Sequence, residues 1–500
     1  MIINKSKYSA FCQCPKSVWL KEHKNEEFVF DKSVGDRASI SNEICDLQCK
    51  LFGENIDASI IIDGKYDFDK TVAHTQELIS KCVKVITKAT FVYNDISCTV
   101  DILRKVKGGY SVYATKSSTG PNKRAYIVDI SYQKYILEKC GINVVSTNVI
   151  NVNTKYKYNG ILNIKKLFKI TNVDELVNNE IINVENNISN LKEILEMTEE
   201  PKVGLNVGCH SPYTCGFWKY CSKCLPEQSI FDLYATSIQD KIKYYNKGIV
   251  TFEDIKNSNI KLSSMQEKQL EHGLNNIPTY VNKEEIKKFL NGLWYPLYFL
   301  DFETVQLGIP KYRRSKPYYP TPFQYSLHYI DYEGGEVHHK EFLANPCKDP
   351  RKQIAKKLFE DIPKNACVLA YNKFFERDRL KDLAKLYPKL GKKLNVVAKN
   401  VKDLAEPFIE GYVYNKAMGN STSIKNVLPA LYPEDENLNY DNLSGIHNGN
   451  EAMTIFAKMK NMCEKEREEV RKELLEYCKL DTFAMVKIYD YLMDVSDSCK

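Results

Sequence analysis

The sequence predicts an α/β fold divided over more than one domain, and three observations lead there. Its 500 residues are several times the ~100–200 of a typical domain, so two or three separate cores are expected. Residues 91–128 alternate apolar and polar side chains around a turn at Lys107-Gly108-Gly109, the pattern of a β-hairpin flanked by helical stretches. At Trp294 the character changes. The run WYPLYFLDFETV is a short, almost continuously apolar strand with acids at its end, as expected for a strand covered on both faces.

In chain order, residues 1–228 read as a first α/β domain. It contains the hairpin, an amphipathic helix over 184–200 and the cysteine-rich segment GCHSPYTCGFWKYCSKC. Residues 229–293 are polar and helical, broken at Lys247-Gly248 and Pro278, and read as a connector. Residues 294–500 form the second α/β domain. Hydrophobic residues make up 43% and charged residues 27%, which excludes a disordered chain and a membrane bundle. The first twenty residues lack the charged and apolar blocks of a signal peptide, and no apolar run approaches the ~18 residues of a membrane span. Sixteen cysteines are too dilute for a secreted disulfide scaffold, so a cytoplasmic location with reduced thiols and no membrane partner is expected. A net charge of +7 permits contact with a polyanion without requiring it. The 33 tyrosines fit half-buried sheet positions better than stacking platforms.

Chemistry concentrates in two groups of residues. In the second domain Asp301 and Glu303 stand two apart on one strand, so both face the same side. Paired carboxylates repel unless a cation neutralises them, and Mg²⁺ or Mn²⁺ prefers such oxygen ligands. The strand CVLAYN then leads into KFFERDRLKDLA, placing Asn372 and Glu376 at a strand-to-helix junction, and the late helix ELLEYCKLDTFAMV carries Tyr477 and Asp481 one turn apart. In the first domain Cys209, Cys215, Cys221 and Cys224 follow one another at spacings x5, x5 and x2, with Cys14 far upstream. Zinc is one reading of these thiols, although only Cys221 and Cys224 offer the short spacing that zinc sites favour.

The succession strand-DxE, N-x3-E and Y-x3-D resembles the three exonuclease motifs of the DnaQ-like DEDD superfamily, tyrosine subclass. That resemblance implies an RNase H-like domain in which Asp301, Glu303, Glu376 and Asp481 hold two divalent ions and Tyr477 orients the attacking water. It departs from the family at Glu376, where aspartate is usual; Asp378 is a weaker substitute. The pattern Y-x5-C-P-K with the later cysteines is similar to the iron–sulfur RecB-like nucleases, including the CRISPR-associated exonucleases and AddB. That likeness implies a [4Fe–4S] cluster on Cys14, Cys209, Cys215 and Cys221, with Cys224 spare. The wording around the motifs, LDFETV, PFQYSLH, YNKFFER, SIKNVLPALYP and YCKLDTFAMV, resembles a bacterial family in which these two modules are fused.

RecB-like domains carry a PD-(D/E)XK site on a hairpin, which here falls on Asp101, Ala114-Thr115-Lys116 and the helix bearing Gln133. Ala114 stands where the metal-binding glutamate belongs, so this site is expected to be degenerate yet still to grip nucleic acid, through Lys116 and Gln133, with Asn372 contributing in the second domain. The resemblances together imply a metal-dependent 3′-to-5′ exonuclease on DNA or RNA. The alternatives are a non-catalytic nucleic-acid-binding or scaffold subunit among repair or defence proteins, and a hydrolase of free nucleotides.

Overall fold

The computed structural model describes residues 2–30, 33–121, 123–211, 213–438, 440–443 and 445–497; the side chains of residues 33–40, 437 and 441 are not described. It is a mixed α/β chain that divides into two compact units: Met1–Cys224 with Leu307–Tyr319, and Leu225–Gln306 with Pro320–Lys500.

The first unit is built on six strands in sequential order: β1 (Ile56–Asp57), β2 (Val85–Tyr93), β3 (Ile96–Val106), β4 (Gly109–Thr115), β5 (Val144–Val152) and β6 (Phe168–Asn172). The expected hairpin is present, with its turn at Lys107-Gly108, where Gly108 has φ +88°. The stretch expected to form its first strand is instead two strands, β2 and β3, because the chain reverses at Asn94, whose φ of +51° suits asparagine. Residues 124–128 are helical, not strand. Strand β4 runs parallel to β5, which requires a crossover; α3 supplies it (Arg124–Lys139, after α1 at Lys5–Gln13 and α2 at Pro15–His23). Tyr132 and Ile136 of α3 pack with Tyr8, Val100 and Val112 in one core, joined by Ile188 and Leu191 of α4 (Val184–Glu196). Pro15 at the first turn of α2 ends α1 at Cys14, whose extended backbone (φ −161°) separates the two helices.

The second unit carries five strands, β7 (Leu297–Val305), β8 (Thr321–Ile330), β9 (His338–Leu343), β10 (Cys367–Ala370) and β11 (Val401–Asp403), in the order β9-β8-β7-β10-β11. The first three are antiparallel, and β10 and β11 run parallel to β7. Alternation along β7 sorts its side chains. Tyr298, Leu300 and Phe302 face α5 (Pro350–Asp361), α6 (Lys373–Leu386) and α7 (Pro388–Lys399), burying an apolar core with Leu358, Leu383 and Leu394. Asp301 and Glu303 therefore emerge on the opposite face. That face is covered by α9 (Gly449–Met459), which follows α8 (Ile424–Leu431), and by the long α10 (Glu464–Asp497), whose Tyr489 packs edge-on against Phe299.

Residues 229–293, expected as a separate connector, belong to the second unit. They are helical as expected, but Thr279–Val281 pairs as an edge strand with Val413–Asn415, which binds the segment to that body. Conversely, residues 307–319, expected within the second domain, leave β7 after Gln306 and join the first unit. Among the described residues no helix is long and apolar enough to cross a membrane.

Candidate metal centre and thiol site

Helix α10 is fixed across the sheet by polar contacts that decide where Asp481 lies. Thr482 Oγ1 is 2.6 Å from Ser326 Oγ and 2.8 Å from His328 Nδ1, both on β8, and Gln324 Nε2 donates to the carbonyl of Leu474 at 2.6 Å. Ser326 is the cross-strand partner of Asp301, and Gln324 that of Glu303. The register of β8 against β7 and the seating of α10 on β8 thus bring Asp481 to the two strand acids. Carboxylate oxygens of Asp301, Glu303 and Asp481 all lie within 4.8 Å of one another. A β-bulge between Glu303 and Thr304 adjusts the strand at this point, as bulges beside functional sites commonly do.

The electrostatics of the cluster are those of anions withdrawn from water. Burial, then the Asp481 charge, raises the Asp301 carboxyl above the usual range, and burial, then Asp301 and Asp481, raises Glu303. Burial raises Asp481 too, against hydrogen bonds from Tyr440, whose hydroxyl donates to Oδ1 at 2.7 Å, and from Tyr477. Lys425 lowers all three carboxyls; its Nζ donates to the carbonyl of His447 at 2.6 Å and lies over the rings of Tyr440 and Tyr477, 4.7 and 5.1 Å from their centroids. Cys478 Sγ approaches Asp301 Oδ2 at 3.7 Å. Gly449, at the start of α9, lies beside Glu303, where a Cβ would make ordinary contact with Oε2 at 3.5 Å.

Glu376 arrives from α6 and is buried, with its carboxyl raised by burial and by the Asp301 charge. Its Oε2 has no hydrogen-bond partner among the described residues, yet Glu376 stands outside the set of three close carboxylates. Asn372 precedes α6 in a left-handed conformation (φ +75°) and is exposed. Asp403, at the end of β11, fixes this junction by accepting from the backbone N–H of Asn372 at 3.0 Å, Lys373 at 3.1 Å and Ala405 at 3.1 Å. Asp378, the alternative to Glu376, is exposed beside Arg377. Lys425, Tyr440 and Asp403 were not singled out from the sequence. Nothing local marks Asp403, which closes the strand Val401-Lys402-Asp403, nor Lys425 or Tyr440.

The three carboxylates suit a hard divalent cation, whose oxygen ligands at about 2.0–2.6 Å can come from groups spaced this way. The orphaned buried oxygen of Glu376 adds a further acceptor nearby.

In the first unit Cys14, Cys209, Cys215 and Cys221 line one small cavity with Leu20, Phe217 and Trp218. Cys14 comes from the break between α1 and α2; the others come from the loop 207–221, where the Cys215 N–H donates to the Cys209 carbonyl at 2.8 Å. Cys224 is exposed and outside the cavity lining. Burial raises the Cys209 and Cys215 thiols, and pushes Cys221 up to about 11 against the charge of Lys16.

The hairpin residues are placed differently from expectation. Asp101 Oδ2 accepts from the N–H and hydroxyl of Thr115 at 2.8 and 3.0 Å. Ala114 is buried among Ile127, Ile130 and Val149, which leaves no room for a carboxylate. Lys116 is largely withdrawn from solvent, its Nζ 3.4 Å from Asp129 Oδ2 and 4.7 Å from the Tyr126 ring centroid. Gln133, expected to reach substrate, is 1% exposed, and its Nε2 donates to the Thr99 carbonyl at 3.2 Å. Strand β3 packs on α3, so a polar side chain on that helix face turns to the backbone.

A family described as a domain of unknown function, DUF2779, matches residues 298–423. The matched segment includes Asp301, Glu303, Asn372, Glu376 and Asp403, and ends before Tyr477 and Asp481. No curated protein matches the chain.

Proposed function

We propose that the chain is a metal-dependent phosphodiester hydrolase acting on nucleic acid from a 3′ end through the second unit. The observation that carries this reading is the meeting of Asp301, Glu303 and Asp481, from a central strand and a helix some 180 residues later, within 4.8 Å of one another. The sheet order, with β7 central, the antiparallel pairs β7/β8 and β8/β9 on one side and the parallel strands β10 and β11 on the other, supports an RNase H-like reading of this unit. On that reading, bound divalent ions supply charge stabilisation for the attacking and leaving oxygens of an in-line displacement. Asp301, Glu303 and Asp481 would hold them, and the unpartnered buried Oε2 of Glu376 would be available as a further acceptor. The Tyr477 hydroxyl positions water beside Asp481, Tyr440 orients that carboxylate, and Lys425 offsets the negative charge.

In the first unit the thiol site supports a [4Fe–4S] cluster on Cys14, Cys209, Cys215 and Cys221 within a RecB-like domain. Four thiolates on one zinc ion at 2.3 Å would place their sulfurs ~3.8 Å apart. Among the described residues no three of these sulfurs lie within 4.8 Å of one another, a wider spacing than a single zinc ion needs.

The exclusion of Glu376 from the tight set favours a second reading, a nucleic-acid-binding subunit without turnover. One assay separates the two. Purified protein is incubated with 3′-labelled single-stranded DNA or RNA in Mg²⁺ or Mn²⁺ and in EDTA. Metal-dependent loss of label, abolished by Asp301→Ala and by Asp481→Ala, is expected; activity surviving Asp301→Ala overturns the assignment, and binding without cleavage selects the second reading.

A further inference from the structure

Outside both sites the first unit has a cleft of about 590 Å³ walled by Lys155, Lys157, Lys165, Lys166 and Lys169. All five are exposed, and among the described residues none is paired with a carboxylate. The excursion 307–319 adds Lys311, Arg313, Arg314 and Lys316 to the same body. It is joined to the cleft loop through the backbone, since the Tyr158 N–H donates to the Ser315 carbonyl at 3.0 Å and the Arg314 N–H to the Tyr158 carbonyl at 2.7 Å. It is also anchored in apolar packing, where Ile309 and Tyr318 lie against the cluster that holds Ile44 and Tyr156.

Neither segment, 153–169 nor 307–319, contains an aspartate or glutamate. Their nine cations exceed the net charge of the entire chain, so acids outnumber bases elsewhere. A lysine-rich face kept only for solubility normally mixes both signs. A cleft lined by one sign focuses the field towards a polyanion. At its lip Ile161 is 87% exposed, an apolar contact for a sugar or base edge among groups suited to phosphate.

From this arrangement we infer that the lysine cleft and the basic excursion form the surface that holds the phosphodiester backbone of a nucleic-acid strand, without reading its sequence. The inference rests on the nuclease reading and deepens it. The grip on substrate moves from Lys116, which is engaged by Asp129, to the cleft. The excursion departs one residue after β7, the strand that carries Asp301 and Glu303.

The test measures anisotropy of a labelled single-stranded oligonucleotide with the full chain, in an Asp301→Ala background so that the strand survives, over a range of salt. Lys155→Glu/Lys165→Glu/Lys169→Glu is expected to weaken binding at least tenfold and to make the slope of log K against log salt shallower by about 2, as loss of three phosphate contacts on a single strand requires. Lys381→Glu/Lys389→Glu/Lys392→Glu makes the same charge change at exposed positions of the second unit and is expected to stay within about twofold. If the first triple fails to fold by circular dichroism, Lys155→Gln/Lys165→Gln is measured instead. Unchanged affinity and slope in the cleft variant, or an equal loss in the second-unit variant, overturns the inference while the nuclease reading stands. A natural-sequence protein that neither binds nor cleaves any strand overturns the nuclease reading itself.

Discussion

Asp301 and Tyr477 separate two kinds of contribution. Asp301 is a ligand in the proposed centre, so Asp301→Ala removes activity, whereas Tyr477 touches Asp481 through a single hydroxyl. Tyr477→Phe is therefore expected to slow strand degradation by ~10²-fold, the size of one positioning or proton-handling group; a rate within twofold of the natural protein would remove Tyr477 from the mechanism. The raised carboxyls give a second expectation, with a definite sign. An acid whose folded pKa lies above its unfolded value carries no penalty below the unfolded value; the penalty accrues as pH rises from the unfolded value to the folded one and then levels off. Burial raises Asp301, Glu303, Asp481 and Glu376 together. Metal-free protein should lose melting temperature as pH rises from the acid side into the alkaline range. Mn²⁺ should flatten that slope, and Asp301→Asn should make it shallower without metal. Thermal melts with and without Mn²⁺ check both, and a slope identical in Asp301→Asn would show that this carboxyl does not titrate as described.

At the scale of elements, the thiol site depends on the break between α1 and α2 as much as on the loop 207–221. Cys14 sits at that break because Pro15 ends one helix and starts the next. Closing a loop of nearly two hundred residues through a cluster restrains the unfolded chain, and metal binding then becomes folding energy. Protein purified without oxygen should be brown, and Cys14→Ser should lose as much iron as Cys215→Ser; equal iron content in Cys14→Ser and the natural protein would exclude the distant ligand. Spacing within a single segment located Cys209, Cys215 and Cys221, the acids on β7 and the Tyr477-Asp481 turn, whereas Cys14 was tied to the other cysteines only by the resemblance to the iron–sulfur nucleases. Sequence pattern did not locate Asp403, Tyr440 or Lys425, which reach the site only through β11 pairing with β10, through the segment between α8 and α9, and through the first turn of α8. It also misplaced Gln133, because helical periodicity alone does not tell which helix face the sheet will cover. The segment 229–293 was legible as helix but not as part of the second unit, a matter decided by the pairing of Thr279–Val281 with residues more than a hundred positions away.

For the whole molecule, the two units divide labour if the hairpin of the first has lost its chemistry. Asp101 is already committed to Thr115, and Lys116 to Asp129. Ala114 lies in an apolar cluster, so Ala114→Glu would force a carboxylate among Ile127, Ile130 and Val149 and destabilise the unit instead of restoring a metal site. Asp101→Ala is accordingly expected to leave the rate of strand degradation within twofold of the natural protein. It should lower stability by about 1–3 kcal/mol, because a buried N–H and hydroxyl of Thr115 lose a charged acceptor. Isothermal titration of Mn²⁺ into the full chain reports on both units at once. Binding should persist in Asp101→Ala and vanish in Asp301→Ala, since the carboxylates that gather within 4.8 Å all belong to the second unit. Mn²⁺ binding that survives Asp301→Ala and disappears in Asp101→Ala would place a working metal site on the hairpin and reverse this assignment of roles.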